Sequence, residues 1–237
     1  MTLTAAEWKI FYRDERARLG EDAMRAMIAR APRVEIAPKR ALIFPHTRLE
    51  ITGTQIGAVV KAIVASRVED VLAIGVLHGK SVDEEFSLDA FDAMLALAAR
   101  DAGRAPPRVR RVFPESRDVD LGRVDCAIVA TADMIHHGVG YGRAKDDSLA
   151  ARDADAYARG AIDAQLRALA AHDFDAFAAE CERARSDFRR SGPVLARAMG
   201  RGFSRRVIDL ELVDYASALG AESPTWVAGA LIEIRAS

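Results

Sequence analysis

The chain has 237 residues, half of them apolar, and its 34 basic and 35 acidic residues leave a formal net charge of -1. A chain of this length can bury one substantial core, so we predict a single domain over residues 1–237. The near-neutral charge disfavours nucleic acid and membrane surfaces as partners, and two cysteines are too few for a thiolate-rich metal site.

The start of the chain and its apolar runs give no indication of export or membrane insertion. Residues 1–9 lack a basic segment followed by an apolar one. No apolar stretch approaches the roughly 18 residues needed to cross a bilayer. We therefore expect a cytoplasmic protein.

The first part of the chain predicts a helical segment followed by a β-α-β unit. Residues 5–31 have apolar side chains at helical spacing, which indicates one helix or a pair of helices. An apolar strand over 41–45 precedes a polar turn through Gly53 and a helix over 55–66. A second apolar strand then runs over 71–78.

The crossover between these two strands decides where two histidines lie. His46 follows the first strand directly, and His78 ends the second. Because β-α-β crossovers are right-handed in nearly all cases, both histidines are predicted at the same sheet edge.

The second part of the chain predicts two further strands, two long helices and a closing strand pair. The loop between the closing strands favours antiparallel pairing, so we predict a mixed sheet. A glycine-rich loop is expected at 138–142, and a chain break at 191–193 before a short helix. The predicted helices are 86–100, 149–171 and 173–189, and the predicted strands are 109–113, 124–130, 207–215 and 226–234.

Four of the five histidines lie at ends of predicted strands: His46, His78, His136 and His137. Since parallel strands deliver their carboxyl ends to one edge of a sheet, we predict a shared site. Histidine is the commonest metal ligand and the side chain best suited to move protons near neutral pH. Two neutral imidazoles and one oxygen ligand leave open coordination positions, as in non-haem iron and catalytic zinc sites.

The alternative interpretation is that each histidine caps a strand or satisfies a buried carbonyl. The distance between the ring nitrogens of two histidines distinguishes the two interpretations. Two imidazoles that share one ion at about 2.1 Å each cannot have ligating nitrogens more than about 4.2 Å apart.

Charged residues near these histidines also have two interpretations each. Asp133 could orient an imidazole or cap a helical turn. Arg48 and Glu50 could bind a substrate carboxylate or pair with each other. The loop at 138–142 could cradle an anion, but it lacks the Lys-Ser/Thr of a P-loop.

Five segments resemble, in order and spacing, motifs of the MEMO family, which comprises the eukaryotic mediator of cell motility and its prokaryotic relatives called AmmeMemoRadiSam system protein B. The resemblance extends from about Phe11 to Ile234. The matching segments are Phe44–Gly53 (family motif A-P-H-A-G-Y-x-x-S-G), Ile74–His78 (L-G-P-S-H-H), Glu85–Leu88 (E-H-S-L), Thr131–Gly138 (S-S-D-x-S-H-Y-G) and Trp226–Leu231 (S-Y-A-A-G-A-L).

The resemblance implies the fold that MEMO proteins share with class III extradiol (LigB-like) dioxygenases, also described as phosphorylase-like. This fold is a three-layer α/β/α sandwich around a mixed, mostly parallel sheet. In the dioxygenases the equivalents of His46 and His78 bind iron(II) together with a Glu, and the equivalent of His136 acts as acid and base. In MEMO proteins a Cys in C-G-x-x-P takes the Glu position, for which the nearest match here is Ser191-Gly192-Pro193.

The sequence departs from the family pattern at the third ligand. A serine hydroxyl is a far poorer ligand than a thiolate or a carboxylate, so metal affinity should fall or another side chain should replace it. Glu50, Asp133 and Glu85 are the candidates. Phe86 stands where the family has the histidine of E-H-S-L.

We therefore predict a MEMO-like protein whose His46 and His78 bind a divalent metal, iron(II) being favoured and a metal-free pocket being the alternative. The enzyme hypothesis is an extradiol-type dioxygenase acting on a small aromatic substrate, with His136 moving a proton and Arg48 holding an anionic group. Asp133 and Ser191 are predicted as orienting residues or substitute ligands. Expected partners are a small-molecule ligand, another protein or a second copy of the chain.

Overall fold

The computed structural model describes residues 3–37, 40–79, 81–115, 118–119, 121 and 124–236. Within these ranges, seven strands form one sheet: β1 Arg40–Phe44, β2 Asp70–Ile74, β3 Arg108–Val112, β4 Ala127–Thr131, β5 Asp133–Gly138, β6 Ser204–Asp214 and β7 Thr225–Arg235. The α-helices in the same ranges are α1 Ala5–Arg30, α2 Leu49–Ser66, α3 Asp89–Asp101, α4 Asp155–Ala170, α5 Phe174–Ala184, α6 Ser191–Met199 and α7 Ala216–Leu219. No helix in this part of the chain has both the length and the apolarity needed to cross a bilayer.

The sheet is mixed, with strand order β3-β2-β4-β1-β7-β5 and β6 paired to the other side of β7. Strands β1 to β4 are parallel to one another, whereas β7 runs antiparallel to β1, β5 and β6. β1 pairs with the C-terminal half of β7 and β5 with its N-terminal half. The carboxyl end of β1 therefore meets the start of β5, where Ala132 N donates to Phe44 O at 3.0 Å.

Helices cover both faces of the sheet, which confirms the predicted three-layer α/β/α arrangement. Alternate residues of β1 enter different cores, because successive side chains of a strand point to opposite faces. Leu42 and Phe44 pack with α1, α2 and α3, while Ala41 and Ile43 pack with α4, α5 and α6.

The polar turn predicted through Gly53 is wrong, because α2 begins at Leu49. Residues distant in sequence accept hydrogen bonds from the backbone N–H groups at the start of this helix. Glu15 of α1 accepts a hydrogen bond from Leu49 N at 2.9 Å, and the Tyr215 hydroxyl accepts one from Arg48 N at 3.2 Å. Gly53 serves a different purpose, since a Cβ there would overlap the side chain of Met27 in α1.

The predicted helix over 173–189 ends early, at Ala184. Arg185 adopts a left-handed backbone conformation with φ 53°, which ends the helix, and a short 3-10 helix follows over Asp187–Arg189. The chain break predicted at 191–193 is wrong as well, because these residues form the first turn of α6.

The sequence analysis did not predict β5, in which His136 and His137 lie. His136 is paired with Val227 of β7, about ninety positions further along the chain. β5 is a strand because β7 is present to pair with it. The short segment Asp133–Gly138 combines polar and apolar residues, so its own sequence gives little indication of a strand.

Candidate metal centre

His46 and His78 meet beyond the carboxyl ends of β1 and β2, at the predicted edge of the sheet, although β2 ends at Ile74 and His78 lies in the loop that follows. Their Nε2 atoms are 3.2 Å apart, which is below the limit of about 4.2 Å for two imidazoles on one ion. The side chain of His46 is 4 % exposed and that of His78 is 23 % exposed, so an ion bound between them would be reachable from one side.

A carboxylate completes this pair. Asp187 Oδ2 lies 3.2 Å from His46 Nε2 and 3.7 Å from His78 Nε2. This oxygen is buried and has no partner with hydrogen-bond geometry among the described residues. These separations would allow one ion to contact all three atoms at the usual ~2.1 Å. His46, His78 and Asp187 could therefore hold a metal ion.

Each of the two histidines is oriented through its other ring nitrogen. His78 Nδ1 donates to Glu85 Oε1 at 2.9 Å, and Glu85 also accepts hydrogen bonds from the backbone N–H of His78, Phe86 and Ser87. His46 Nδ1 lies 3.1 Å from Thr131 Oγ1. A carboxylate partner fixes the tautomer of a metal-ligating imidazole, and either contact fixes the direction of its ring. Both Nε2 atoms consequently point into the shared pocket.

Asp133 connects the backbone around this pocket. Its Oδ1 accepts a hydrogen bond from His46 N at 3.1 Å, and its own N–H donates to Asp187 Oδ1 at 3.0 Å. Its Oδ2 is 3.7 Å from His46 Nε2. Asp133 is the first residue of a strand, so of the two roles considered for it, the capping of a helical turn does not apply.

His136 faces the same pocket, and its neighbour His137 does not. The ligand atoms of Asp133, His136 and Asp187 lie within 4.8 Å of one another. His137 is stacked on Trp226 with ring centroids 4.6 Å apart, and its Nε2 accepts a hydrogen bond from Leu149 N at 3.0 Å. His136 therefore belongs with the predicted site. His137 instead has a role in packing and in backbone hydrogen bonding.

The charges of the pocket perturb its acids and bases in opposite directions. Burial opposes protonation of His78, but Asp187 and Glu85 outweigh it and raise its pKa to about 10. The pKa of His46 is raised in the same way by Asp133 and Asp187. Burial would raise the pKa of Asp187, but His46 and His78 lower it well below its ordinary value. Without a metal ion, these shifts favour protonated imidazoles on His46 and His78 beside an ionised Asp187 carboxylate.

Asp133 behaves differently from Asp187 although the two are neighbours. Burial raises the pKa of Asp133, and the nearby Asp187 carboxylate adds to that effect. His46 opposes it without reversing it. Two carboxylates held this close disfavour each other's charge, so the pocket favours a bound cation.

Arg48 and Glu50 lie close to His46 in sequence but have other partners. Arg48 Nε donates to Glu15 Oε1 at 2.7 Å, and Glu50 accepts a hydrogen bond from Arg18 at 2.8 Å near the surface. Substrate binding by Arg48 stays a prediction. Its guanidinium is already paired with Glu15. The predicted pairing of Arg48 with Glu50 is present at 3.4 Å.

Ser191 lies at the start of α6, four residues after Asp187. It is 1 % exposed, and its Oγ has no hydrogen-bond partner among the residues the structure describes. Of the two outcomes expected for a serine at this position, the structure supports a third ligand from elsewhere, because Asp187 brings a carboxylate to His46 and His78. Of the earlier candidates, Glu85 orients His78 and Glu50 lies elsewhere.

A cavity of about 800 Å³ adjoins the pocket between the end of β2 and α5. His78, Asp187 and Ser191 line it, together with the exposed Arg189. Its volume lies within the range of small-molecule sites. A ligand in this cavity would reach the open side of the pocket.

Phe86 and Tyr12 form an apolar wall on the other side. Phe86 stacks on His78 with centroids 4.5 Å apart, and Tyr12 stacks on Phe86 at 5.3 Å. The Tyr12 hydroxyl lies 2.7 Å from that of Tyr215, which also bonds Thr47 next to His46. Burial raises the pKa of both tyrosines, so they stay protonated at neutral pH.

Asp187 is the site residue that sequence reasoning missed. It lay inside a predicted helix, where a lone Asp is most simply interpreted as a solvated residue. Ser186-Asp187 carried a weak signal, because Ser186 accepts a hydrogen bond from Phe188 N in the way that Ser starts a helical turn.

Comparisons with protein-family models and with curated proteins identified no relative of this chain. No protein-family model matches the chain, and no curated protein matches it.

Proposed function

We propose that this protein binds a divalent metal ion through His46 Nε2, His78 Nε2 and Asp187 Oδ2. The observation that carries the proposal is the triangle of these atoms, with sides of 3.2, 3.2 and 3.7 Å. Two histidines and one carboxylate on one face of an ion leave the remaining positions open. The orphaned Asp187 Oδ2 and the outer contacts of both imidazoles support a prepared site.

Iron(II) is the proposed ion, and kinship with MEMO proteins and LigB-like dioxygenases is part of the proposal. Two-histidine, one-carboxylate sites with open positions are typical of non-haem iron(II), although zinc accepts similar ligands. The MEMO-like motifs around His46, His78 and His136 support the kinship. With Asp187 as the third ligand, the donor set is closer to the dioxygenase pattern, which uses a Glu, than to the MEMO pattern, which uses a Cys.

A bound ion would supply Lewis acidity and open coordination positions beside the cavity. The chain's own residues prepare that position. Glu85 holds His78 in the tautomer that binds metal, and Phe86 shields the ring from water on one face. The cavity beyond Asp187 admits a small ligand from solvent.

Metal analysis of protein purified without air tests the proposal. The wild-type protein is expected to retain iron, or to take up Fe²⁺ on titration, and the His46→Ala, His78→Ala double variant is expected to be empty. Ser191→Ala is the matched control, because it alters the same cavity without removing a proposed ligand. Equal metal content in wild-type protein and double variant would refute the proposal.

A second candidate function is extradiol-type cleavage of a small aromatic diol. It is favoured by His136, whose ring faces Asp133 and Asp187 and whose Nε2 could accept a proton from such a substrate. Oxygen uptake with a panel of catechols, by protein loaded with Fe²⁺, measures this activity. Uptake that never exceeds that of Fe²⁺ alone would exclude the activity while leaving metal binding intact.

A further inference from the structure

A second group of ligand atoms lies beside the first and shares one residue with it. Asp133, His136 and Asp187 each offer an atom within 4.8 Å of the others, and Asp187 also belongs to the group with His46 and His78. Asp133 Oδ2 is 3.7 Å from His46 Nε2, so the two groups are adjacent. A carboxylate has two oxygens, and one shared between two groups can bridge two ions.

His136 is held in the orientation expected of a metal ligand. Its Nδ1 is 2.7 Å from the carbonyl oxygen of Arg185. A carbonyl only accepts, so Nδ1 carries the proton and the lone pair of the neutral ring is on Nε2. Glu85 does the same for His78. Anchoring of the distal nitrogen by a carbonyl or carboxylate is the usual outer contact of metal-ligating histidines.

The charges of the pocket leave room for a second cation. Asp133 and Asp187 are both within the pocket, and the buried Glu85 carboxylate contacts His78 directly. Histidines bind metal as neutral imidazoles, so one divalent ion would face three carboxylates. With all three carboxylates ionised, one divalent ion would leave a net charge of −1 and two ions a net charge of +1, so the charge of the pocket is compatible with a second cation.

We propose that Asp133, His136 and Asp187 bind a second divalent cation, with Asp187 bridging it to the ion on His46 and His78. This inference rests on the proposed metal function and extends it to a centre with two ions. Ions that share a carboxylate lie about 3.5–4 Å apart, a spacing that adjacent groups of this size permit. The ligand set of one imidazole and two carboxylates suits Mn²⁺ and Fe²⁺.

Two uses of His136 exclude each other under this proposal. An Nε2 lone pair that binds an ion is not free to accept a proton from a substrate. The extradiol function would then lose its proton acceptor, so counting ions also bears on that second candidate.

The test is the number of Mn²⁺ ions bound by the full chain. We expect about two ions per wild-type chain at saturation, about one for His136→Ala, and none for Asp187→Ala. His136→Gln is measured in parallel, in case the alanine variant does not fold. His172→Asn is the matched control, because it removes an imidazole far from the pocket and asparagine tolerates the left-handed conformation of that position, φ 56°.

Electron paramagnetic resonance of the same samples gives an independent result. Two ions bridged by Asp187 are expected to give an exchange-broadened Mn²⁺ spectrum, and His136→Ala is expected to give the sharper spectrum of an isolated ion.

Three outcomes would contradict the proposal of a second ion. A wild-type chain that binds one ion, with an unchanged count in His136→Ala, would overturn it and leave the first site intact. A wild-type chain that binds one ion, together with a His136→Ala chain that binds one ion more weakly, would also overturn it, because His136 would then complete the shell of a single ion. A wild-type chain that binds none would overturn the proposed function itself.

Discussion

Two adjacent histidines of β5 lie in two very different regions. His136 faces the metal pocket, with its Nδ1 bonded to the carbonyl of Arg185 and a ring nitrogen within 4.8 Å of ligand atoms of Asp133 and Asp187. His137 points to the other face of the strand, stacked on Trp226 and bonded to the backbone of Leu149. The Trp226 indole donates to the same residue, Leu149 O, at 2.8 Å.

The difference shows that the environment decides what a histidine does. Carboxylates surround the pocket and raise the pKa of His78 to about 10, whereas burial lowers the pKa of His137 to about 4. In the first region the imidazoles hold charge or a cation. In the second, a neutral ring serves as an apolar surface with one acceptor atom.

The largest expected effect is a loss of metal affinity in the region of His136, caused by Asp187→Ala. Asp187→Ala removes the shared carboxylate, so we expect a loss of affinity larger than the roughly 10- to 100-fold caused by loss of an outer partner. Titration with Fe²⁺ or Mn²⁺ measures it, with Ser191→Ala as the control. Undiminished affinity in a folded Asp187→Ala protein would show that the triangle of ligand atoms is not the binding site.

Glu85→Gln is expected to have the next largest effect, because it weakens the anchor of His78 without touching the ion. Metal affinity should fall about 10- to 100-fold. The pKa of His78, followed by NMR in the metal-free protein, should also fall from about 10 towards its ordinary value. Glu50→Gln is the control, because Glu50 pairs with Arg18 at the surface. Equal effects of the two variants would mean that Glu85 does not act through His78.

His137→Ala should affect stability and leave metal binding unchanged. It leaves the N–H of Leu149 without its acceptor and removes the ring stacked on Trp226. We expect unfolding free energy to drop by about 1–3 kcal/mol, measured by denaturant titration. A changed number of bound ions in this variant would break the distinction between the two faces of β5.

The last contrast is in the pH dependence of the metal-free protein. A raised pKa, as in His78, contributes stability that is present below pH 6.5 and is lost as the pH rises towards 10. A lowered pKa, as in His137, contributes stability that is present above pH 6.5 and is lost as the pH falls towards 4.

Denaturant titrations at acid, neutral and alkaline pH measure both contributions. The stability difference between wild type and His78→Asn should shrink at alkaline pH, and that between wild type and His137→Asn should shrink at acid pH. Parallel curves for the two variants would mean that the two histidines do not titrate in opposite senses.

The pairing of His46 with His78 was predictable because local pattern and topology agree. Each follows an apolar run of strand length, and a β-α-β crossover carries both to one edge of the sheet. The presence of both helices and strands was predictable because their periodicity extends over many residues, and the three-layer arrangement was what the resemblance to MEMO proteins implied.

Asp187 and β5 could not be predicted locally. Asp187 reaches the pocket because α5 ends at Ala184 and the chain turns back towards Asp133, whose N–H donates a hydrogen bond to Asp187. β5 forms because β7 is long enough to pair with β1 and β5 end to end. Apart from the weak signal of Ser186, neither event is indicated by residues close to the segment concerned.

The sequence by itself determined the helices and strands of an α/β chain, the mixed sheet and the meeting of His46 with His78, because periodicity depends on local side chains and β-α-β crossovers have one hand. The tertiary structure decided which carboxylate joins them and which face of β5 each of its histidines occupies. Those outcomes depend on hydrogen bonds between segments about fifty to ninety residues apart, such as Asp133 with Asp187 and His136 with Val227. Such bonds exist only after the sheet has assembled.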